Sequence, residues 1–325
     1  MAVMTLVTGG CGYIGALAVQ ELQAAGRDVR VLDVLLHGQD ELAARQTALG
    51  VEVIHGDLRD SEARRRALQG ADEVVHLAAI VGEAACDSDP AVSHAVNVAG
   101  TTALVDEARA AGVRRFVFAS TCSNYGRMAD LSVPIGEDGE LAPLTLYAEQ
   151  KVAMERMLLG NKGGPLARNC LRFATVYGAA PRMRFDLTVN EFTRDLWADR
   201  ELEVFGEQTW RPYLHVRDAA RAIRAVLEAP VETVRGEVFN VGRSSENYRK
   251  QDIVEAVLEQ VDSGRVSFVQ RDSDRRDYRV SFDKVRAVLG FETLMTVPDG
   301  VAEVVAALEQ GAFGDPFDPR HRNTP

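Results

Sequence analysis

The sequence predicts an α/β fold: a doubly wound parallel sheet with a smaller, partly interleaved α/β domain. Three observations predict this fold. Short β-branched runs alternate with longer helical patterns through the first half of the 325 residues, which is typical of βαβ units and a parallel sheet. A glycine-rich turn separates the first run from the first helical stretch. From about residue 165 the alternation gives way to mixed segments and proline-containing loops, so we expect a second unit there.

The individual elements follow from short β-branched runs for strands and longer amphipathic stretches for helices. In the first half, strands are predicted at 3–8, 28–33, 51–55, 73–77 and 115–119, and helices at 13–25, 40–49, 61–68 and 91–111. In the second half, helices are predicted at 216–228 and 251–261, strands at 236–241 and 265–269, and a surface tail at 311–325. Ligands bind where parallel strands end, so we expect the site just after Val7, Leu32, Leu77 and Ala119.

Composition limits the classes of function. The chain has 37 Lys+Arg against 48 Asp+Glu and a net charge of −11, so its general surface repels phosphate backbones and no nucleic-acid partner is expected. The four cysteines lie far apart without a CxxC spacing, which argues against a zinc site or a disulfide framework. The first residues lack the pattern of a signal peptide, and no stretch approaches the roughly 18 apolar residues of a membrane span. We therefore expect a cytoplasmic protein without a metal or a membrane partner.

Glycines at positions 9, 12 and 15 lie between the first predicted strand and the first predicted helix. This spacing supplies a tight turn, close backbone approach to a pyrophosphate and a helix N-terminus for the anion, which predicts a Rossmann-type dinucleotide site. Asp33 ends the second strand and can accept hydrogen bonds from an adenosine ribose while repelling a 2′-phosphate. No Arg or Lys follows Asp33 before Arg45, so the predicted cofactor is NAD and not NADP. A purely structural glycine turn is disfavoured because the strand, the helix and the acid all agree.

A second acid, Asp57, follows the third predicted strand in Gly56-Asp57-Leu58. Its position at the end of a strand favours contact with the adenine amino group of the cofactor. The alternative is an N-cap for the next helix, since aspartate is a favoured cap residue.

Tyr147 and Lys151 lie four residues apart, which places a phenol and an ammonium on one face of a predicted helix. A free tyrosine has a pKa of about 10, too high for an efficient base at neutral pH. An adjacent ammonium and the positive ring of NAD⁺ favour the phenolate and are expected to lower the pKa of Tyr147. Such a spacing alone is common on helix surfaces, but the segment 119–126 presents hydroxyls at a strand end, where one can hydrogen-bond a substrate oxygen.

Together these motifs resemble the extended short-chain dehydrogenase/reductases, and most closely their nucleotide-sugar epimerase/dehydratase group. The likeness covers nearly the whole chain and includes later motifs at 171–178 and 210–218. It implies that Thr121 takes the hydroxyl role, that Tyr147 acts as acid/base, and that Lys151 holds the nicotinamide ribose. It also implies that the cofactor is bound by Gly9, Gly12, Tyr13, Ile14, Gly15, Asp33, Asp57, Leu58, Leu77, Ala78, Ala79, Tyr147 and Lys151.

The resemblance implies an NAD-binding domain at 1–165, with parts of 208–242, and a mainly nucleotide-sugar-binding domain at 166–325. The partner it implies is a nucleoside-diphosphate sugar. Arg211 matches a phosphate-binding arginine, and a guanidinium also suits a diphosphate chemically. Asn190 matches a position that faces the diphosphate, and a late arginine completes the clamp, with Arg276 favoured over Arg271. The substrate-binding set is Cys122, Ser123, Thr175, Asn190, Arg211 and Arg276.

The sequence departs from the family pattern near the expected substrate. Nucleotide-sugar 4,6-dehydratases carry Asp-Glu directly after the hydroxyl residue, whereas this chain has Cys122 and Ser123, which disfavours that elimination. Cys122 is either a small, partly buried residue or, with a lowered thiol pKa, an acid/base. Thr175 stands where many members have Asn. Arg182 and Arg184 either meet a carboxylate or phosphate on an unusual sugar or pair with nearby acids.

The function expected from these residues and the resemblance is NAD-dependent epimerisation of a nucleotide sugar at C4, through a transient ketone. One alternative is a 4-ketoreductase or dehydrogenase with exchangeable NAD(H). The other is a nucleotide-binding protein that has lost catalysis, against which the intact Thr121, Tyr147 and Lys151 argue.

The quaternary structure implied by the resemblance is a homodimer in which the stretches 91–111 and 146–159 form a two-fold, four-helix interface. Ala95, Ala99 and Ala103 would permit close helix packing there, or equally against the parent sheet.

Overall fold

The computed structural model describes residues 3–160, 163–262, 264–269 and 275–323. The strands of this part are β1 (Met4–Thr8), β2 (Asp28–Asp33), β3 (Glu52–His55), β4 (Glu73–His76), β5 (Arg115–Thr121), β6 (Ala167–Phe173), β7 (Thr175–Tyr177), β8 (Glu201–Phe205), β9 (Trp210–His215), β10 (Val238–Val241), β11 (Asn247–Arg249) and β12 (Arg265–Val269). The helices are α1 (Tyr13–Ala24), α2 (Asp40–Ala48), α3 (Ser61–Leu68), α4 (Glu83–Ser88), α5 (Pro90–His94), α6 (Thr101–Ala110), α7 (Leu146–Leu159), α8 (Thr188–Trp197), α9 (Val216–Glu228), α10 (Val231–Val234), α11 (Lys250–Leu258), α12 (Asp283–Leu289) and α13 (Val297–Glu309).

The central sheet has seven strands in the order β10-β6-β5-β4-β1-β2-β3, and every pairing in it is parallel. The chain builds outward from β1 to β3 and then crosses back to β4 on the other side of β1. This reversal opens a crevice at the carboxyl ends of β1 and β4, where Thr8 is in register with His76. The predicted α/β fold with a parallel sheet is confirmed.

Alternate residues of the strands enter two different hydrophobic cores, as expected when both faces of a parallel sheet are covered. Val7 of β1 belongs to the core that α1 and α9 cover, whereas the preceding Leu6 belongs to the core under α3 and α6. Both side chains are fully buried. The sheet is therefore doubly wound.

A smaller group of elements lies beyond the main sheet. It comprises a three-stranded sheet, β11-β9-β7, a two-stranded sheet, β12-β8, and the helices α8, α11 and α13, which share a core of their own. The chain is interleaved, because β6 and β10 lie beyond residue 165 and complete the main sheet, while α9 packs on α1. The domain division at residue 165 stays a prediction.

The prediction of one helix at 91–111 is only partly correct. The segment runs as α5, a π-helical stretch at Ala95–Gly100 and α6. Inside the π stretch, the buried Asn97 side chain accepts a hydrogen bond from the Ile80 N–H and donates one to the Ile80 carbonyl. Helix α4 was not predicted, because its six residues are too few to show a helical period.

Candidate active site

A cleft of about 790 Å³ opens at the carboxyl edge of the main sheet and extends to the smaller unit. Its volume lies in the range of small-molecule and cofactor sites. Most of the residues predicted from the sequence line it: Gly9, Gly12, Tyr13, Ile14, Gly15, Asp33, Asp57, Leu58, Leu77, Ala78, Ala79, Thr121, Ser123, Tyr147, Lys151, Thr175, Arg211 and Arg276.

The glycine loop forms a turn that no larger residue would fit. Gly9 has φ +74°, and a Cβ atom there would lie 2.7 Å from the backbone nitrogen of Ala78. A Cβ atom on Gly15 would lie 2.0 Å from the carbonyl oxygen of Gly9. Gly12 precedes α1 and provides no side-chain cap, so the N-terminus of α1 is open toward the cleft. A helix N-terminus of this kind binds a diphosphate through its N–H groups.

The carboxylate of Asp33 is held in a fixed orientation at the end of β2. It is 8% exposed and accepts hydrogen bonds from the N–H groups of Cys11 and Leu35, both at 2.9 Å. Burial raises the pKa of Asp33, and these N–H groups act in the opposite direction. With the glycine loop beside it, Asp33 provides the oriented acceptor that an adenosine ribose requires, so the residues present fit NAD.

Asp57 also lines the cleft and is paired with Arg59 at 2.6 Å. The hydrogen bond from Arg59 is the main cause of the lowered pKa of Asp57. The N-cap of α3 is Asp60, whose carboxylate accepts from the N–H of Glu62 at 2.9 Å. The alternative role of Asp57 as the N-cap is therefore excluded.

Tyr147 and Lys151 share one face of the first turns of α7, which Thr145 caps. The Lys151 nitrogen lies 5.7 Å from the centre of the Tyr147 ring and donates to the carbonyl of Ala119 at 2.7 Å. Lys151 is 5% exposed, and burial lowers its pKa to about 8. Burial also raises the pKa of Tyr147, so the expected lowering by the ammonium does not appear in the protein without cofactor. The positive charge of Arg184 acts in the opposite direction and favours the phenolate.

Thr121 ends β5, and its hydroxyl accepts a hydrogen bond from the N–H of Ser123 at 3.1 Å. The Ser123 hydroxyl lies 3.4 Å from the hydroxyl of Tyr278 and accepts a hydrogen bond from Arg276, also at 3.4 Å. Arg276 in turn pairs with Glu83 at 2.5 Å. This end of the cleft therefore combines hydroxyls with a guanidinium.

Arg211 is buried in the same region, where its guanidinium lies 5.0 Å from the centre of the Tyr278 ring. It donates to the carbonyl of Trp210 at 2.6 Å. Arg271, the less favoured candidate for the clamp, lies outside the described residues.

Two residues predicted for the substrate site, Cys122 and Asn190, do not line the cleft. Cys122 is 1% exposed and does not line the cleft, since the turn after β5 directs its thiol to the carbonyl of Arg172 at 3.2 Å. Burial raises the pKa of that thiol, so Cys122 is the small buried residue and not an acid/base. Asn190 is 0% exposed, because its amide accepts from the N–H of Gly178 at 2.8 Å and donates to the carbonyl of Arg184 at 2.9 Å. Asn190 therefore holds the loop 178–184, and its side chain is buried behind the cleft.

A buried polar network supports the strand end from behind. Glu155 of α7 pairs with Arg172 of β6 at 2.7 Å, and both side chains are almost inaccessible. The hydroxyl of Ser120 and the amide of Asn124 also donate to Glu155. The network links α7, β5 and β6, and so fixes the helix that carries Tyr147 relative to the strand that carries Thr121.

The cleft is also lined by Arg182 and Arg184, whose roles the sequence left open, and by two residues near the end of the chain. Arg184 pairs with Asp186 through two hydrogen bonds, of 2.9 and 2.7 Å, which is the acid pairing expected as one alternative. Arg182 lines the cleft without such a carboxylate among the described residues. The tail was expected on the surface, yet Arg322 and Asn323 reach the cleft. No local pattern in the sequence signals these contacts.

The described ranges contain neither a cluster of metal-ligating side chains nor a helix that could span a membrane. No group of three or more His, Cys, Asp or Glu side chains is arranged to hold a metal ion there. No helix of this part of the chain is both long enough and apolar enough to cross a membrane.

Comparison with known proteins agrees with this geometry. A family model described as the NAD dependent epimerase/dehydratase family matches residues 5–242. The chain is 31% identical to a dTDP-glucose 4,6-dehydratase of Streptomyces griseus over 94% of each chain. It is 30% identical to a UDP-glucose 4-epimerase of Mycolicibacterium smegmatis, over 93% of this chain and 97% of the relative. Among solved structures, the UDP-glucose 4-epimerase of Thermus thermophilus in complex with NAD has a TM-score of 0.83 and 28% identity, over 94% of this chain and 99% of that one.

The family model spans well over half of the sequence, and the relatives match almost end to end. The glycine loop and Asp33 agree with the cofactor that the family description names. The chain therefore belongs to the NAD-dependent epimerase/dehydratase family of enzymes.

Proposed function

We propose that the protein is a nucleotide-sugar epimerase that inverts C4 of its substrate. The observation that carries the proposal is that Thr121, Tyr147 and Lys151 line one cleft with the glycine loop. Tyr147 takes the proton of the sugar 4-hydroxyl and later returns it, while the Thr121 hydroxyl hydrogen-bonds the same oxygen. Lys151 holds the nicotinamide ribose. Bound NAD⁺ would supply the hydride acceptor and donor that inversion at C4 through a transient ketone requires.

The substrate proposed is a nucleoside-diphosphate sugar. Arg211 and Arg276 line the same cleft as Ser123, and Arg276 donates a hydrogen bond to the Ser123 hydroxyl. Guanidinium groups bind diphosphates through paired charge-assisted hydrogen bonds. The names of the relatives, UDP-glucose and dTDP-glucose enzymes, support the same class of substrate. Thr175 lies in the cleft as well and is proposed as a sugar contact.

Elimination of water across C5 and C6, the reaction of the dehydratase relatives, is disfavoured by the residues that follow Thr121. The position that carries the first carboxylate in those enzymes is occupied by Cys122, whose thiol is buried and whose pKa burial raises. The next position is Ser123, which has no carboxylate either. The acid and base for that elimination are therefore missing at the positions where the resemblance expects them.

The test is to incubate the purified protein with nucleotide sugars, without added cofactor, and to follow the products by NMR. Conversion between C4 epimers is expected. Stoichiometric consumption of added NADH with a keto-sugar would instead indicate a ketoreductase, and a 4-keto-6-deoxy product would indicate a dehydratase.

A Tyr147→Phe variant tests the proposed role of the phenol. It should fold, keep its bound NAD and lose turnover by about 10²- to 10⁴-fold, the usual contribution of a general acid/base. Tyr248→Phe is the matched control, since the Tyr248 hydroxyl contacts Glu246 at 3.2 Å and Tyr248 does not line the cleft. Full activity of Tyr147→Phe would refute the mechanism.

We also propose a homodimer formed through α5, α6 and α7. Ala95 and Ala103 are half-buried and Ala99 is exposed in the single chain, so these alanines are not covered by the parent sheet. A small-residue surface of this kind permits close packing of helices from a second copy. Analytical ultracentrifugation that gives only monomer would contradict the dimer.

We further propose a cytoplasmic location. The four cysteines are buried free thiols, which supports a reducing compartment.

A further inference from the structure

Arg182 is a buried cation whose hydrogen-bonding capacity is largely unused. It is 7% exposed and lines the cleft, and its Nε atom has no hydrogen-bond partner among the described residues. One Nη atom donates to the carbonyl of Arg322 at 2.9 Å. Burial lowers the pKa of Arg182 to about 10, so the side chain is still charged at neutral pH. Arg182 forms no ion pair among the described residues, and a buried guanidinium without a directly bonded anion is costly.

The neighbours of Arg182 place it at the cofactor end of the cleft. Tyr13, the first residue of α1, donates a hydrogen bond to the carbonyl of Gly178 at 2.7 Å, so the loop 178–184 that carries Arg182 lies against the start of α1. The charge of Arg182 acts on Tyr13 and on Asp33, the acid at the end of β2. Burial and, to a smaller extent, the charge of Arg182 lower the pKa of His37, which lies in the loop that follows β2. Arg211 lies at the other end, against Tyr278. Arg182 therefore lies in the part of the cleft beside the start of α1 and Asp33.

We propose that Arg182 binds the diphosphate of NAD together with the glycine loop. The N-terminus of α1 would offer backbone N–H groups to that diphosphate, and the Arg182 guanidinium in the same cleft would add N–H donors and a full positive charge. The planar guanidinium suits two phosphate oxygens at once. This role of Arg182 concerns NAD, the family's cofactor, and is the same whichever sugar reaction the protein catalyses.

The segment 319–323 holds Arg182 in place. The carbonyl of Arg322 orients its guanidinium, and the carbonyl of His321 accepts from the N–H of Phe185 at 2.8 Å. The N–H of Asn323 donates to Asp186 at 3.1 Å. The segment thus lies along the loop that carries Arg182 and acts as its support.

The test compares Arg182→Gln with Arg184→Gln, a control from the same loop with the same loss of charge. Arg184 is suitable because its guanidinium is already paired with Asp186. The full-length protein is loaded with isotopically labelled NAD, and ADP or adenosine is used to displace it. ADP carries the diphosphate and adenosine does not, so the ratio of their half-displacement concentrations reports on binding of the diphosphate. A general change in NAD affinity affects both concentrations equally and cancels in the ratio.

In Arg182→Gln, ADP should lose roughly 10- to 100-fold in potency relative to adenosine, the usual effect of a charge-assisted hydrogen bond. Bound NAD should also exchange faster. In Arg184→Gln the ratio should change less than about threefold. Arg182→Lys should recover part of the loss, because it restores the charge without the planar donor pair.

Three results would overturn the proposal. An unchanged ratio of ADP to adenosine in Arg182→Gln would show that the side chain has a structural role only. A loss of calorimetric affinity for UDP, with the ADP ratio unchanged, would assign Arg182 to the sugar nucleotide. A selective loss for 2′,5′-ADP would assign it to a ribose phosphate. Each of these readouts is independent of epimerase turnover, so the proposal can fail while the proposed function stands.

Discussion

Replacing Lys151 by Met should stabilise the NAD-free protein at neutral pH, even though it should abolish function. Burial lowers the pKa of Lys151 from 10.5 to about 8, so the folded state holds the ammonium less favourably than the unfolded state does. At about 1.4 kcal/mol per pKa unit, this difference costs about 3 kcal/mol at pH 7. The cost is complete below pH 8 and disappears above pH 10.5, because the unfolded chain binds more protons between those values and stability there rises with pH.

The Met side chain has a similar length and no charge to bury, but it leaves the carbonyl of Ala119 without its partner, which costs about 1 kcal/mol. The net gain at pH 7 is then about 2 kcal/mol. For a chain of this length the unfolding entropy is about 0.7 kcal/mol/K, so the melting temperature should rise by about 3 °C. At pH 10 the remaining cost of the wild-type lysine is below about 1 kcal/mol, and the gain should disappear.

The assay is thermal unfolding followed by circular dichroism at pH 7 and pH 10, on protein freed of NAD, because a bound ligand would itself raise the melting temperature. Lys284→Met is the control, since Lys284 forms a partly exposed ion pair with Glu237 at 2.8 Å. Lys284→Met should change the melting temperature little, and it should not raise the melting temperature at pH 7 as Lys151→Met does. A Lys151→Met difference that is the same at both pH values would refute the reasoning that burial of the charge is the dominant cost.

Three further outcomes are expected. Gly9→Ala should abolish retention of NAD in gel filtration, because its Cβ atom would meet backbone, whereas Gly26→Ala, with a similar φ of +75° and nothing within 4 Å, should lose stability only. Glu155→Gln should lower the free energy of unfolding in urea by about 3–5 kcal/mol, because it leaves the Arg172 charge buried without its partner; a loss below 1 kcal/mol would contradict this. Cys122→Ala should keep at least half of the wild-type turnover in the NMR assay, and loss of nearly all of it would restore a catalytic role for the thiol.

The cofactor half of the cleft could be predicted because its requirements are local. The turn at Gly9 and the close approach at Gly15 involve residues within one short loop, so their spacing appears directly in the sequence. Asp33 is found at the end of the next strand by the same alternation that defines the sheet. These residues line the cleft as predicted, and the family comparison confirms NAD as the cofactor.

The substrate half of the cleft could not be predicted in the same detail. The direction of its side chains depends on irregular turns, which have no repeating pattern in the sequence. Thr121 and Cys122 are adjacent, yet the 3₁₀ turn that begins at Cys122 leaves Thr121 in the cleft and turns the thiol into the core. Asn190 was predicted to face the diphosphate and instead hydrogen-bonds the loop at Gly178. Neither outcome can be read from residue spacing, because each depends on which neighbour satisfies the polar group.

What the sequence by itself determined is therefore the parallel sheet, the glycine loop, the acid at the end of β2 and the Tyr147–Lys151 pair, since strand–helix alternation and close spacing are local properties. The tertiary structure alone decided that burial, and not the neighbouring ammonium, governs the pKa of Tyr147 in the absence of cofactor. It also decided that Arg182 reaches the cofactor end of the cleft beside Asp33. Both depend on which distant segments pack together and exclude water, and that is a property of the folded chain as a whole.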